Sequence, residues 1–235
     1  SDIHLPGLQQ ELVEEVHKAG IPVVVVLVNG RQLGVEWIAE HASALIEAWE
    51  PGSFGGQAVA EILYGKVNPS GKLPVTVPRH VGQIQCVYNQ KSANTWFPYA
   101  LGNSNPLFCF GYGLSYTQFE YTRLSIDRTT MQATDTARLL VNVTNVGERD
   151  GDEVVQLYIR DDYSSATRPL KELKDFKRIH LKKGETQTVS FDITPEMLSY
   201  YNARMQYGVE KGTFTIMVGS SSQDDDLQSV RLEVN

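Results

Sequence analysis

The chain has 235 residues, of which 41% are hydrophobic and 21% charged, and it carries a formal net charge of −7. This composition is ordinary for a soluble globular protein, and the acidic excess argues against a nucleic-acid binder, which normally shows a basic patch. The longest apolar run, Ile21–Val28, is well short of the roughly 18 residues that a membrane helix needs. We therefore expect neither nucleic acid nor a membrane as a partner.

The chain begins with serine, which indicates processing, trimming or a fragment. The lack of a visible signal peptide therefore carries little weight.

The first half alternates between helical and strand patterns. Apolar residues recur at helical spacing in some segments, and β-branched apolar runs stand between them. Helices are predicted in Leu5–Gly20, Glu36–Ala42 and Gly55–Gly65, and strands in Val23–Val28, Ala44–Trp49 and Lys72–Pro78. Strands separated by helical crossovers indicate a layered α/β sheet, and the run of valines suits a parallel strand covered on both faces. The pattern lacks the first strands of such a sheet, so we expect the sheet to expose an edge when this chain is alone.

The second half changes period at about Thr117. Alternating apolar and polar residues form several short runs, which is typical of an antiparallel β-sandwich of immunoglobulin or fibronectin type. Turn signals separate the runs at Asn145 with Gly147, at Lys183–Gly184 and at Lys211–Gly212. The boundary is predicted near Ser115–Phe119, which gives an α/β domain over 1–115 and a β-sandwich over 116–235. The polar stretch Ser220–Asp226 is predicted to be a solvated turn.

Four segments carry a resemblance to a known family. "AWEPGSFGGQAVAEILYGKVNPSGKLPVTVPRHVGQI" (Ala48–Ile84) resembles the second α/β domain of family 3 glycoside hydrolases, the β-glucosidase family, and is most similar to their bacterial periplasmic branch. "FGYGLSYTQFEY" (Phe110–Tyr121) resembles the lead into the family's fibronectin type III-like domain. Val143–Asp161 and Thr167–Leu198 resemble that domain itself. The implied architecture is the latter part of an α/β sandwich domain followed by a fibronectin type III-like β-sandwich.

The resemblance implies retaining hydrolysis by two carboxylates, a nucleophile and a general acid/base. It places the nucleophilic aspartate in an N-terminal barrel and the acid/base glutamate on a loop upstream of Ser1, so no catalytic residue is assigned to this chain. We expect the chain alone to be inactive on aryl β-glucosides. The carboxylates that the α/β half does contain are Glu36, Glu40, Glu47, Glu50 and Glu61. Glu40 and Glu61 lie on polar positions of predicted helices and are expected to be solvated.

Substrate-binding residues are expected on an irregular loop, Tyr88–Phe108, because long loops without periodicity in compact domains are usually functional or disordered. Trp96, Phe97 and Tyr99 on this loop could stack on the apolar faces of a sugar. The alternative is that they close the seam between the domains. Arg168 is a further substrate-binding candidate, and a salt-bridged structural arginine is its alternative.

Metals and cofactors are not expected. The five histidines are scattered without metal spacing, and no Gly-x-Ser-x-Gly elbow is present. Cys86 and Cys109 are predicted to approach each other, either as packed thiols or as a disulfide.

The function implied by the resemblance is the C-terminal portion of an exo-acting retaining β-glucosidase that removes terminal β-D-glucosyl residues from β-glucans and cello-oligosaccharides. The alternative is a non-catalytic scaffold or carbohydrate-contact module. The expected partners are a β-linked gluco-oligosaccharide and the N-terminal barrel portion of the same enzyme, and a second copy in a homodimer is a further candidate. A periplasmic or secreted location is expected.

Overall fold

A computed structural model describes residues 2–91 and 104–235. The chain forms two compact units, each drawn from several segments. In the described range the first unit consists of residues 2–67, 75–87 and 104–109, and the second of residues 68–74, 88–91 and 110–235.

The first unit is of α/β type, as predicted. Its elements are helix α1 (Gln9–His17), strand β1 (Val24–Leu27), helix α2 (Glu36–His41), strand β2 (Ala44–Glu47) and helix α3 (Gly55–Leu63). The two strands pair in parallel, with Val24 opposite Ala44 and Leu27 opposite Glu47, as expected for strands joined through a crossover helix. None of the helices in the described residues is long and apolar enough to cross a membrane.

The core of the first unit is small. Leu27, Leu33, Val35 and Ile38 form its buried cluster. Helix α1 buries none of its residues, although the spacing of its apolar side chains predicted a packed face. Strands β1 and β2 are mostly half-exposed, so the prediction of strands covered on both faces is wrong for this chain. An apolar surface that was expected to be covered is therefore open to solvent.

The predicted third strand, Lys72–Pro78, is wrong. Val77 forms an isolated antiparallel bridge in which its N–H donates to the carbonyl of Phe108 at 2.9 Å. Leu73 exchanges two backbone hydrogen bonds of 2.8 Å with Tyr112 and Gly111. Pro74 and Pro78 have no N–H to donate to a ladder. The prolines thus prevent a continuous strand along this stretch and leave only separate pairings at Leu73 and Val77.

The second unit is mostly β-structure. It contains β3 (Phe119–Ile126), β4 (Thr130–Met131), β5 (Ala137–Asn145), β6 (Gly151–Asp161), β7 (Glu172–Leu181), β8 (Thr186–Ile193), helix α4 (Pro195–Leu198), β9 (Tyr200–Tyr201), β10 (Tyr207–Gly208), β11 (Gly212–Gly219) and β12 (Leu227–Val234). One sheet has the order β4-β12-β11-β6-β7, a second has the order β3-β5-β8, and β9 and β10 form a separate hairpin. The predicted β-sandwich is confirmed.

The core of the second unit is built by residues that alternate along the strands. In β5 every second residue is buried, beginning at Ala137, and Leu139 and Val141 share one cluster with Leu157 of β6 and Phe191 of β8. Period-2 alternation puts these side chains on one face of each strand. Both sheets therefore contribute to one apolar core.

The stretch Ser220–Asp226 is only partly the solvated turn that was predicted. Ser221 and Ser222 are buried, and the Ser221 hydroxyl donates to Asp226 Oδ2 at 2.5 Å. Lys171 Nζ donates to the carbonyl of Ser222 at 2.8 Å and also contacts the Asp224 carboxylate. Hydrogen bonds inside the unit thus hold this polar stretch in place.

Candidate functional site

Three of the four predicted binding residues, Trp96, Phe97 and Tyr99, lie outside the described residues. The segment that leads toward them is held in the second unit. Lys91 forms an antiparallel bridge with Pro169, and the Leu170 N–H donates to the carbonyl of Gln90 at 3.0 Å. The last described residues before the aromatic cluster therefore run beside the loop that carries Arg168.

Arg168 is almost fully buried and its guanidinium is surrounded by partners. Nη2 donates to Glu172 Oε2 at 2.5 Å, and Nη1 lies 3.4 Å from Asp161 Oδ2 and 3.3 Å from the carbonyl oxygen of Leu198. Cζ lies 4.6 Å from the centroid of the Tyr200 ring, a cation–π distance. Burial raises the pKa of Asp161 above its ordinary value, and the Arg168 charge opposes this shift.

These contacts give Arg168 a structural role, because two carboxylates, a carbonyl and an aromatic ring already surround its planar set of donors. A direct role in substrate binding stays a prediction. Arg168 also stabilises the carboxylates of Asp161 and Glu172, since a buried charge without a partner lowers the stability of the folded state.

The carboxyl end of the parallel strand pair is the usual location of a ligand site in open α/β sheets. Here the Glu47 carboxylate accepts hydrogen bonds from Asn29 Nδ2 at 3.0 Å and 3.2 Å and from the Trp49 N–H at 3.1 Å. Trp49 adopts a φ of 50°, a left-handed conformation that is rare for a non-glycine residue. Glu47 thus stabilises the strained turn that follows β2, which sequence patterns did not show.

The other carboxylates of the first unit also have local partners or face solvent. Glu36 pairs with Arg79 Nη1 at 2.8 Å, and Glu61 accepts from Gln57 and Lys66. A Cβ on Gly30 would lie 3.0 Å from Glu50 Oε1, so the Glu50 side chain lies over that glycine. Glu40 is exposed, as predicted. These contacts give Glu36 and Glu61 structural roles, and the absence of a catalytic residue from this chain stays a prediction.

The Asn-Pro-Ser-Gly-Lys stretch, Asn68–Lys72, belongs to the second unit. Asn68 Oδ1 accepts from the Ser115 hydroxyl at 2.9 Å and from the Tyr116 N–H at 2.7 Å, and its Nδ2 donates to the carbonyl of Asp150 at 3.0 Å. One side chain thus fastens the turn to two distant segments of the chain.

Lys72 forms a nearly buried ion pair in the same unit. Its Nζ lies 3.0 Å from Glu153 Oε1, with 13% of the lysine and 5% of the glutamate side chain exposed. The Tyr121 hydroxyl donates to the same oxygen at 3.2 Å. Burial raises the pKa of Glu153 although Lys72 and Tyr121 act to lower it, and burial followed by the Glu153 charge raises the pKa of Tyr121 well above its ordinary value. Sequence gave no signal for this pair, because its members are 81 residues apart.

Two of the histidines are closer than the sequence indicated. The rings of His17 and His41 have centroids 5.6 Å apart, and His41 stacks on Trp37 at 4.3 Å. His41 Nδ1 is bonded to the carbonyl oxygen of Trp37 at 2.8 Å. Among the residues that the structure describes, no group of three or more His, Cys, Asp or Glu side chains could hold a metal ion.

Cys86 and Cys109 are half-buried free cysteines of the first unit. Burial raises the pKa of the Cys86 thiol, and the neighbouring Cys109 adds a smaller effect in the same direction. The two thiols are therefore near enough to interact electrostatically, and they are free rather than joined in a disulfide.

Known proteins resemble this chain along its whole length. Residues 1–116 match the Glycosyl hydrolase family 3 C-terminal domain, and residues 153–222 match the Fibronectin type III-like domain. A β-xylosidase from Formosa agariphila is 48% identical over 237 residues, covering 100% of this chain and 33% of the relative. A periplasmic β-glucosidase from Salmonella typhimurium is 41% identical, covering 94% of this chain and 30% of the relative.

Solved structures agree with these matches. The structure of a β-glucosidase from Erythrobacter marinus aligns with a TM-score of 0.95 at 43% identity, covering 100% of this chain and 31% of that chain. This chain spans about a third of the length of the relatives that it matches. It belongs to glycosyl hydrolase family 3 and corresponds to the family's C-terminal domain followed by a fibronectin type III-like domain.

Proposed function

We propose that this chain is the C-terminal portion of an exo-acting retaining β-glycosidase, with terminal β-D-glucosyl residues of β-glucans and cello-oligosaccharides as its substrates. The observation that supports this most is the match to β-glycosidases over the whole chain. The chain spans about a third of those relatives. The proposal therefore places the two catalytic carboxylates in the rest of the enzyme, the nucleophile in an N-terminal barrel and the acid/base on a loop of the α/β domain upstream of Ser1. The domain boundary is proposed near Ser115.

A second substrate class is favoured by one specific observation. The Formosa agariphila relative at 48% identity is named a β-xylosidase, whereas the Salmonella typhimurium relative at 41% identity is named a periplasmic β-glucosidase. Xyloside hydrolysis by the same mechanism is therefore the alternative to glucoside hydrolysis. The second name also supports a periplasmic or secreted location for the complete enzyme.

The first experiment compares the complete enzyme with the 235-residue chain on 4-nitrophenyl β-glucoside and 4-nitrophenyl β-xyloside. We expect the complete enzyme to prefer the glucoside and the chain alone to be inactive on both. A higher kcat/KM on the xyloside would replace glucose by xylose in the proposal. If the complete enzyme hydrolysed neither compound, a β-glycosidase function would be refuted. Turnover by the purified 235-residue chain would refute the proposed location of the catalytic carboxylates.

We also propose that the loop carrying Trp96, Phe97 and Tyr99 forms part of the rim of the subsite that holds the leaving group. Aromatic stacking contributes about 1 kcal/mol beyond area burial, which is less than tenfold in affinity. Trp96→Ala in the complete enzyme should weaken kcat/KM for cellobiose several-fold and affect a small aryl glucoside less. Equal losses on both substrates, together with a lower Tm, would show that Trp96 only supports the fold.

The non-catalytic alternative, a scaffold or carbohydrate-contact module, applies to the chain when it is separated from the rest of the enzyme. A homodimer is likewise a proposal. Sedimentation of the complete enzyme over a range of concentrations would test it, and a single monomeric species at micromolar concentration would refute it.

A further inference from the structure

A cluster of exposed aromatic side chains lies on the β9–β10 hairpin of the second unit. Tyr201 and Tyr207 stand directly opposite each other in this hairpin, their ring centroids are 4.9 Å apart, and the planes are tilted by 47°. They are 61% and 55% exposed, and Met205 in the turn is 76% exposed. Side chains with this much solvent exposure do not contribute to the hydrophobic core of the unit.

The hairpin is held in one conformation from within. Asn202 Oδ1 accepts from the backbone N–H groups of Arg204 and Gln206 at 2.9 Å and 3.1 Å, and the Asn202 N–H donates to the carbonyl of Gln206 at 3.0 Å. An isolated two-stranded hairpin is marginally stable in water, so these bonds are needed to keep it formed. Tyr200 turns to the opposite face and packs against the guanidinium of Arg168.

A third tyrosine lies on the neighbouring loop. Tyr163 is 85% exposed, and its backbone carbonyl would be 3.6 Å from a Cβ placed on Gly212, four residues after the hairpin ends. The Ser165 hydroxyl, two residues after Tyr163, lies 3.1 Å from the hydroxyl of Tyr200. The loop therefore contacts the Tyr200 face of the hairpin, opposite the face that carries Tyr201 and Tyr207.

The chemistry of the face that carries Tyr201 and Tyr207 fits a neutral sugar chain. Flat aromatic faces pack against the apolar C–H faces of sugar rings, and phenol hydroxyls and amides supply hydrogen bonds at their edges. Residues 200–208 contain a single charged side chain, Arg204, which is too few for a polyanionic ligand. A few exposed side chains also offer less than the ~800 Å² per partner that a stable protein–protein interface buries.

We propose that Tyr201, Tyr207 and Met205, here called the tyrosine surface, bind a neutral β-linked glycan chain as a secondary carbohydrate-binding surface. It would hold polymeric substrate on the enzyme and take no part in bond cleavage. The choice of a β-linked glycan rests on the proposed function.

The test is affinity electrophoresis of the 235-residue chain in gels containing mixed-linkage β-glucan, neutral xylan or, as an anionic control, polygalacturonate. We expect retardation by at least one of the neutral glycans and none by polygalacturonate. Tyr201→Ala and Tyr207→Ala should each weaken the apparent affinity several-fold, and the double variant should abolish retardation. Tyr201→Phe should retain most of it, because the ring is kept.

Phe176→Ala is the matched control, since Phe176 is an exposed aromatic residue of the same unit that lies outside the tyrosine surface. Its retardation should equal that of the unchanged chain. Far-UV circular dichroism and the Tm establish that each variant folds. Undiminished retardation of the folded double variant would overturn the proposal, as would equal retardation of the unchanged chain by polygalacturonate.

Two further results separate this proposal from its rivals. Concentration-dependent dimerisation that disappears in the double variant, without any glycan retardation, would assign the surface to self-association and overturn the proposal. In the complete enzyme, the double variant should keep its activity on 4-nitrophenyl β-glucoside and lose several-fold in activity on polymeric glucan. Failure of the complete enzyme to cleave any β-glycoside, with glycan retardation intact, would refute the proposed function and leave this surface standing.

Discussion

Replacing Lys72 with methionine tests how the Asn68–Lys72 turn is joined to the β-sandwich. Methionine retains much of the aliphatic volume of lysine but leaves the Glu153 carboxylate, 5% exposed, without its cationic partner. The Tyr121 hydroxyl, at 3.2 Å, remains as its side-chain hydrogen-bond donor. The substitution therefore isolates a buried negative charge.

Removing one partner of a buried ion pair costs 3–5 kcal/mol, and the partial exposure of Lys72 points to the lower end. We expect Lys72→Met to lower the free energy of unfolding by about 3 kcal/mol at pH 7. The pKa of Glu153 is already raised by burial above its ordinary value of 4.5, and loss of Lys72 raises it further. A carboxyl whose pKa is higher in the folded than in the unfolded state stabilises the folded state at a pH below its unfolded pKa. That contribution is lost as the pH rises through its folded pKa. The deficit of the variant should thus be small below about pH 4.5 and grow toward neutrality.

Urea unfolding followed by far-UV circular dichroism between pH 4 and pH 8 measures this effect, because most strands of the chain belong to the second unit. Lys183→Met is the matched control, since Lys183 pairs with Glu148 on the surface, and it should change stability by less than about 1 kcal/mol. The double variant Lys72→Met/Glu153→Gln should recover most of the loss, because a neutral amide still accepts from Tyr121. A loss below about 1 kcal/mol, or one independent of pH, would refute this reasoning.

Three further outcomes follow from individual contacts. Asn68→Ala should cost about 2 kcal/mol because it leaves polar groups without partners, and Asn68→Asp, which keeps the acceptor, should cost less in the same urea titration. Gly113→Ala should prevent folding or lower Tm strongly, because the added Cβ would lie 2.1 Å from the carbonyl oxygen of Gly71. Gly56→Ala is the control and should leave Tm unchanged or raise it, because no atom lies within 4 Å of a Cβ added there. Cys86 should react with iodoacetamide at pH 8 much more slowly in the folded chain than in urea, since burial raises its pKa; equal rates would contradict its burial.

Local pattern was sufficient to predict most elements. Alternation with period 2 predicted the long strands of the β-sandwich, and helical spacing predicted α1, α2 and α3 close to their observed bounds. The prediction of a strand at Lys72–Pro78 was wrong because it relied on apolar character alone, whereas Pro74 and Pro78 lack the N–H groups that a β-ladder requires. The exposed face of α1 shows a second limit, since spacing predicts which side chains share a face and not what covers it.

The residues of the candidate site could be named from the sequence, but their contacts could not. The aromatic loop and Arg168 could be singled out from the sequence, and the binding roles of Trp96, Phe97, Tyr99 and Arg168 remain predictions. The partners of Arg168 could not be foreseen, because Asp161 and Tyr200 reach it only through the pairing of distant strands and loops.

The sequence by itself determined the family, the change from α/β to β-sandwich and the turn chemistry of Asn68–Lys72, because these depend on residues close together in the chain. Only the tertiary structure decided that this turn belongs to the second unit, that Lys72 meets Glu153, and that Tyr201 and Tyr207 stand side by side in water. The physical reason is that burial and pairing energies act between groups in space. Lys72 and Glu153 are 81 positions apart, so the sequence around either residue does not show that the folded chain buries them together.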